Sequence, residues 1–154
     1  MEPVGLYGLP ENPLLLIDSA PILHILEDHP QFAPLFLPVF EAQAKGLVRL
    51  AVTTVTLAQV LIGPLNEGNE GLAAQYRSVL RSWLVVDLDA GVAASAARRR
   101  AATKLKLPDA IQAASALVVG ADALVTHDRD FSVLRDLRIL GAKTCGSLRC
   151  GCTG

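Results

Sequence analysis

The stretch from Lys106 to Phe131 constrains this chain more than any other. Its first half, Lys106-Leu-Pro-Asp109 and the Ala/Leu/Ile-rich run to Val119, predicts a helix. Pro108 is tolerated in a first turn, where its missing N–H would have no partner in any case. Asp109 therefore stands at the helix N-terminus. Gly120 ends the helix, and Ala123 to Thr126 is short, apolar and partly β-branched, the pattern of a buried parallel strand. The carboxyl end of that strand delivers Thr126, His127, Asp128 and Asp130. Carboxylates at a strand end and at a helix start suggest a cation.

The rest of the chain supplies a frame for these acids. Leu14-Leu15-Leu16-Ile17 is a continuous apolar run ending in Asp18, as expected of a strand covered on both faces. Ser19 and Pro21 start a helix that His29-Pro30 breaks. Gln31 to Gly46 is helical, with Pro34 and Pro38 at its start or kinking it. Leu47 to Thr53 is a strand, Val55 to Ile62 a helix stopped by Gly63-Pro64, and Asn66 to Gly71 a polar loop. Leu72 to Trp83 is a helix, Leu84 to Leu88 a strand, Ala90 to Leu105 an Ala-rich helix, and Arg138 to Leu140 a fifth strand. Alternating strands and helices predict an α/β fold, a three-layer α/β/α sandwich with a mostly parallel five-stranded sheet. Ligands of such sheets bind at the carboxyl ends of the strands. Asp18 and Asp128 follow strands, and Asp109 joins them from its helix. Three converging carboxylates repel one another unless a cation compensates, and oxygen-only ligands suit Mg²⁺ or Mn²⁺.

Each acid has a second interpretation, because a single Asp between strand and helix is often only an N-cap. For Asp130 the cap of a short helix begun by Phe131 is the preferred role. Convergence on one sheet edge is what favours a site over three independent caps.

Four segments together resemble the PIN domains, metal-dependent ribonucleases that include the VapC-type toxins of VapBC toxin–antitoxin pairs. They are Leu-Ile-Asp18-Ser, Thr56-Leu-Ala-Gln59-Val-Leu-Ile-Gly63, Pro108-Asp109-Ala-Ile-Gln-Ala-Ala and Val-Thr126-His-Asp128-Arg-Asp130-Phe131, spread over Leu14 to Leu140. The resemblance implies hydrolysis of RNA phosphodiesters with one or two Mg²⁺ or Mn²⁺ ions held by Asp18, Asp109 and Asp128. Thr126 is implied to orient Asp128 or a bound water. It also implies a homodimer and a cognate VapB-type antitoxin. The departure is Gln59, where the family carries Glu. A carboxamide keeps one acceptor oxygen but loses the charge, so it is a poor ligand for a hard cation. Lost activity, tolerated weakening and a deliberate substitution are the three interpretations, beside the plain one in which Gln59 completes a Thr56-x-x-Gln59 capping box. The alternative function is an inactive module of the same fold that binds RNA or protein without cutting.

Composition sets outer bounds. The chain has 154 residues, which is one domain, with residues 1–12 as a lead, 13–141 as the domain and 142–154 as a Gly/Cys-containing tail expected to be disordered. No apolar run reaches the roughly 20 residues of a bilayer span, so no membrane association is expected. The lead lacks signal-peptide features, and Cys145, Cys150 and Cys152 all lie in the tail, too few for a closed zinc site. A cytoplasmic location is expected. The net charge of −1 provides no global basic footprint, so local cations or bound metal would have to hold RNA. Arg98-Arg99-Arg100 with Lys104 and Lys106 is one such group, although a solvated helix face is preferred for it. His127 reads as an exposed loop residue, and His24 and His29 have no evident partner. An Asp-x-Asp phosphatase is disfavoured because Ala20 fills the second position, and a phospho-accepting receiver because it needs paired acids there. Phe32, Leu35, Phe36, Leu37, Val39 and Phe40 crowd so much apolar area together that some of it is expected to meet another chain.

Overall fold

The structure, a computed structural model, describes residues 2–141, so the expected tail and its three cysteines lie outside the described residues. In chain order the elements are β1 (Leu14–Ile17), α1 (Ser19–Leu26), α2 (Ala33–Ala44), β2 (Arg49–Thr53), α3 (Thr54–Asn66) and α4 (Glu70–Arg81). There follow β3 (Leu84–Val86), α5 (Ala90–Thr103), α6 (Leu107–Val118), β4 (Ala123–Val125), a 3₁₀ turn (Arg129–Val133) and β5 (Ile139–Leu140). The five strands form one sheet in the order β3-β2-β1-β4-β5, and every pairing is parallel.

Strand alternation splits the core in two. Leu15 and Ile17 of β1 point to one face, where Ile22, Phe36, Val39, Val60 and Leu80 of α1 to α4 cover the sheet. Leu14 and Leu16 point to the other, under Val92 and Ala96 of α5 and Ala110, Ala113 and Ala114 of α6. The small alanines let these helices lie close to the sheet and to each other. A strand buried on both faces must be apolar throughout, which is why β1 is an uninterrupted Leu-Leu-Leu-Ile.

One proline expectation is corrected, the stop at Gly63-Pro64. α2 is one helix from Ala33 to Ala44 with Pro38 inside it, and α3 continues through Gly63-Pro64 to Asn66. Pro64 is buried, and packing of its ring offsets the hydrogen bond that proline removes. The continuous α2 also buries its aromatic side chains from one side. Phe36 and Val39 are fully enclosed, Phe32 and Phe40 are half-buried, and Leu37 is the exposed large side chain of the segment.

The start of α3 differs from the capping box expected at Thr56 and Gln59. Thr53, the last residue of β2, is the N-cap, and its hydroxyl oxygen accepts from the Thr56 amide at 3.0 Å. The cap lies three residues before Thr56, and the helix starts at Thr54, one residue before the expected Val55. Thr53→Ala is expected to cost about 1 kcal/mol of stability, measured as a shift in the urea midpoint at unchanged slope.

Candidate active site

Two strand ends and one helix start converge at the carboxyl edge of the sheet. Asp18 follows β1, and its amide donates to the Val125 carbonyl at 2.9 Å, carrying the β1–β4 pairing one residue further. Its side chain is 8% exposed and both oxygens are engaged. Oδ1 accepts from the Ser19 amide (2.8 Å) and from Gln112 Nε2 (3.3 Å), and Oδ2 accepts from the Thr126 hydroxyl (2.8 Å). Asp18 is thus both the N-cap of α1 and a buried acid. Burial raises its pKa, the donors from Thr126 and Ser19 oppose the shift, and the charge of Asp128 adds to it.

Asp109, in the first turn of α6, is half-buried and is not the helix cap; Lys106 occupies that position, with no side-chain cap hydrogen bond. The Asp109 pKa is raised to about 6, first by burial and then by Asp128, Asp18 and Asp130, with Lys106 pulling the other way. Asp128 caps the 3₁₀ turn, accepting from the Asp130 amide at 2.9 Å. The cap expected at Asp130 is therefore Asp128, because the turn begins two residues before Phe131. Asp130 is released from that role and joins Asp109 and Asp128, with one carboxylate oxygen of each within 4.8 Å of the others.

Two ligands of one ion are separated by at most twice the metal–oxygen distance, roughly 4.2 Å for Mg²⁺. The three carboxylates span that distance or need only a small closure to reach it. The donor set, oxygen alone, fits a hard divalent cation. Of the expected trio, Asp109 and Asp128 meet in this group, while Asp18 stands deeper and is coupled to both through its charge.

Thr126 is buried and bridges the two levels. Its hydroxyl donates to Asp18 and accepts from the Asp128 amide at 3.0 Å. Gln112, one turn beyond Asp109 on α6, is a buried polar residue without a role in the sequence analysis. Its Nε2 donates to Asp18 and to the Thr56 hydroxyl, leaving Oε1 without a partner among the described residues. An unpaired buried acceptor costs about 1–3 kcal/mol, which fits an amide whose donors are committed to a carboxylate. The available signal was a lone amide inside Ala-Ile-Gln-Ala-Ala. Gln59 is half-buried, three residues beyond Thr56 and so on the same side of α3.

The histidines are also corrected. His127 is half-buried, and its Nδ1 lies 3.2 Å from His24 Nε2. His29 Nδ1 accepts from the Phe32 amide at 3.1 Å, and Phe32 packs on both His29 and His127, with ring centroids 4.6 and 4.7 Å apart. Burial, followed by His127 and His29, holds the His24 pKa below its ordinary value. Of the arginine triplet, Arg99 is committed to a bidentate pair with Asp136, at 3.0 and 2.9 Å.

An all-parallel five-stranded α/β sandwich with an acidic carboxyl edge defines the class of this protein. The chain belongs to the PIN domain family, whose model matches residues 15–137, as the four motifs led us to expect. Among solved structures it is similar to a DNA-bound VapBC from Salmonella typhimurium, at 18% identity and a TM-score of 0.68, covering 85% of this chain and 99% of that one. It is similar to VapBC2 from Rickettsia felis bound to a promoter DNA fragment, at 17% identity and a TM-score of 0.67, covering 84% and 99%. A toxin–antitoxin complex from Klebsiella pneumoniae matches at 24% identity and a TM-score of 0.60, covering 77% and 90%. At these identities the likeness is one of fold. No curated protein matches the chain by sequence. Among the described residues, no helix is long and apolar enough to cross a membrane.

Proposed function

We propose that this protein is a metal-dependent endoribonuclease of the VapC toxin type, with Asp109, Asp128 and Asp130 as its outer ligands and Asp18 beneath them. The observation that carries this is the gathering of three carboxylates at the sheet edge of a PIN domain. Like charges so close are costly unless a cation neutralises them. A bound Mg²⁺ or Mn²⁺ would supply Lewis acidity and a water acidified enough to attack a phosphodiester. The chain's own residues do the rest. Asp18 Oδ1 already accepts twice, but Oδ2 accepts once and keeps a lone pair, through which Asp18 remains available to the ion. Thr126 and Gln112 fix the Asp18 carboxylate in one orientation. Asp128 is fixed by its own cap and by Thr126. Gln59 offers an acceptor without charge and weakens the site.

The same reading assigns a homodimer to this chain and a VapB-type antitoxin, the latter supported by the toxin–antitoxin complexes that share its fold. It also places the protein in the cytoplasm. A second reading, an inactive module that holds RNA or protein in the same cleft, is favoured by Gln59 alone.

RNA cleavage with Mn²⁺, compared between the parent and Gln59→Glu, separates the two. The Glu variant is expected to bind Mn²⁺ more tightly and to cut at least about tenfold faster, the equivalent of 1.4 kcal/mol, and chelation should abolish both activities. Cleavage by neither form would overturn the nuclease. Equal metal affinity of the two forms in calorimetry would remove Gln59 from the site.

A further inference from the structure

The acid cluster has a basic neighbour. A groove of about 300 Å³ lies between the α5–α6 connection and the 3₁₀ turn, and its walls carry Lys104, Lys106, Arg129 and Ser132. Asp130 lines the groove and also belongs to the carboxylate group, so the groove opens directly onto the acids. None of the three cations forms an ion pair among the described residues, where the ion pair present is Arg99 with Asp136.

The groove wall is built by the chain rather than left to a loose loop. Leu105 is buried and pins the connection to the core beneath α5 and α6. Lys104 and Lys106 flank it, and both are exposed. Lys104 takes a left-handed backbone with φ 62°, a conformation that a non-glycine residue adopts at a cost. Its amide donates to the Arg100 carbonyl, and the Thr103 hydroxyl donates to the Arg99 carbonyl at 2.7 Å while accepting from the Leu105 amide at 3.4 Å. Arg129 approaches from the opposite wall, on the turn that carries Asp128 and Asp130. Three cations thus face one small polar space beside a cluster that would itself repel a polyanion.

We propose that this groove seats one backbone phosphate of a single-stranded RNA, next to the bond presented to the acids, and that Lys104, Lys106 and Arg129 hold it. The inference rests on the ribonuclease reading for its choice of RNA. A chain of net charge −1 has no general attraction for RNA, so it needs a local anchor of this kind. The anchor lies on the α5/α6 side of the site, so the strand crosses the carboxyl edge in a fixed register. Phosphate contacts set position without reading sequence.

The test is binding of a labelled single-stranded RNA to the full chain in chelator across a salt series, using fluorescence anisotropy. The triple substitution Lys104→Gln, Lys106→Gln and Arg129→Gln is expected to weaken binding by about tenfold or more. It should also reduce the slope of log affinity against log salt by about 0.7, the value for one phosphate of a single strand. The pair Arg77→Gln and Arg81→Gln removes charge from a different cleft, on α4, and should leave binding within about twofold. Equal losses in both variants, or none in the triple, would overturn the groove. So would a parent that binds polyglutamate but no RNA, a result assigning the groove to an acidic protein. If the parent cleaves RNA and the triple variant keeps its KM, the groove fails while the nuclease stands. If the triple variant loses RNA binding although neither parent nor Gln59→Glu cleaves, the groove stands and the nuclease fails.

Discussion

Phe131→Ala is expected to lower stability by about 3–5 kcal/mol and to reduce metal affinity with it. Phe131 is 0% exposed and belongs to the core on the α5/α6 side, with Leu134 and Leu137 beside it. It is also the middle residue of the 3₁₀ turn Arg129–Val133, which Asp128 caps and Asp130 enters. The ring that fills the core therefore anchors the two acids that follow β4. Removing it leaves a cavity and frees the turn, so the carboxylate spacing is lost together with the packing. Chemical denaturation and a Mn²⁺ titration on the same variant measure both effects. Phe131→Leu, which retains most of the volume, should recover much of each. A loss below about 1 kcal/mol in the Ala variant would show that the turn is held by something other than this ring.

Asp109→Asn is expected to act in opposite directions with and without metal. The folded-state pKa of Asp109 is about 6, above the ordinary 3.8, so the folded protein keeps this proton to higher pH than the unfolded chain does. Stability then falls as pH rises from about 4 to about 6 and stays flat above, with the ionised group under strain. Asparagine carries no such charge. Without metal at about pH 7.5 the variant should be more stable by about 1 kcal/mol, a figure reduced for solvent screening of a half-exposed group, or roughly 2–4 °C in Tm. Near pH 4 the difference should vanish. In millimolar Mn²⁺ the order should invert, because ligand binding stabilises the parent. Scanning calorimetry at both pH values, with and without the ion, gives all the comparisons. Destabilisation of similar size under every condition would make Asp109 a structural residue.

Much of this architecture was legible because it follows local rules. Leu14 to Ile17 could be read as a doubly covered strand from its unbroken apolar run, and Pro108-Asp109 marked a helix start whose acid faces the sheet edge. What escaped depends on contacts far apart in the chain. His24 meets His127 across 103 positions, and Gln112 reaches Asp18 across 94. Neither pairing leaves a periodic trace in the sequence. Pro64 departs for a related reason: Gly63-Pro64 stops a helix by local chemistry, yet α3 is committed to a core that rewards its continuation. Asp130 was misplaced by the position of a cap, since a turn starting at Arg129 rather than Phe131 turns a capping residue into a neighbour of Asp109.

The Thr126 hydroxyl has one proton and two neighbours, and that gives the site a polarity. Facing the Asp128 amide, it can only accept there, so its proton must go to Asp18. The chain of donors therefore runs one way, from the loop through the hydroxyl to the buried carboxylate. A peptide flip before Asp128 would set a carbonyl against lone pairs, and a proton placed on Asp18 Oδ2 would make that oxygen the donor and leave the Thr126 proton without its acceptor. The proton of one hydroxyl thus ties the loop bearing the outer acids to the ionised form of the buried one, since only a bare Oδ2 leaves every group in this chain paired.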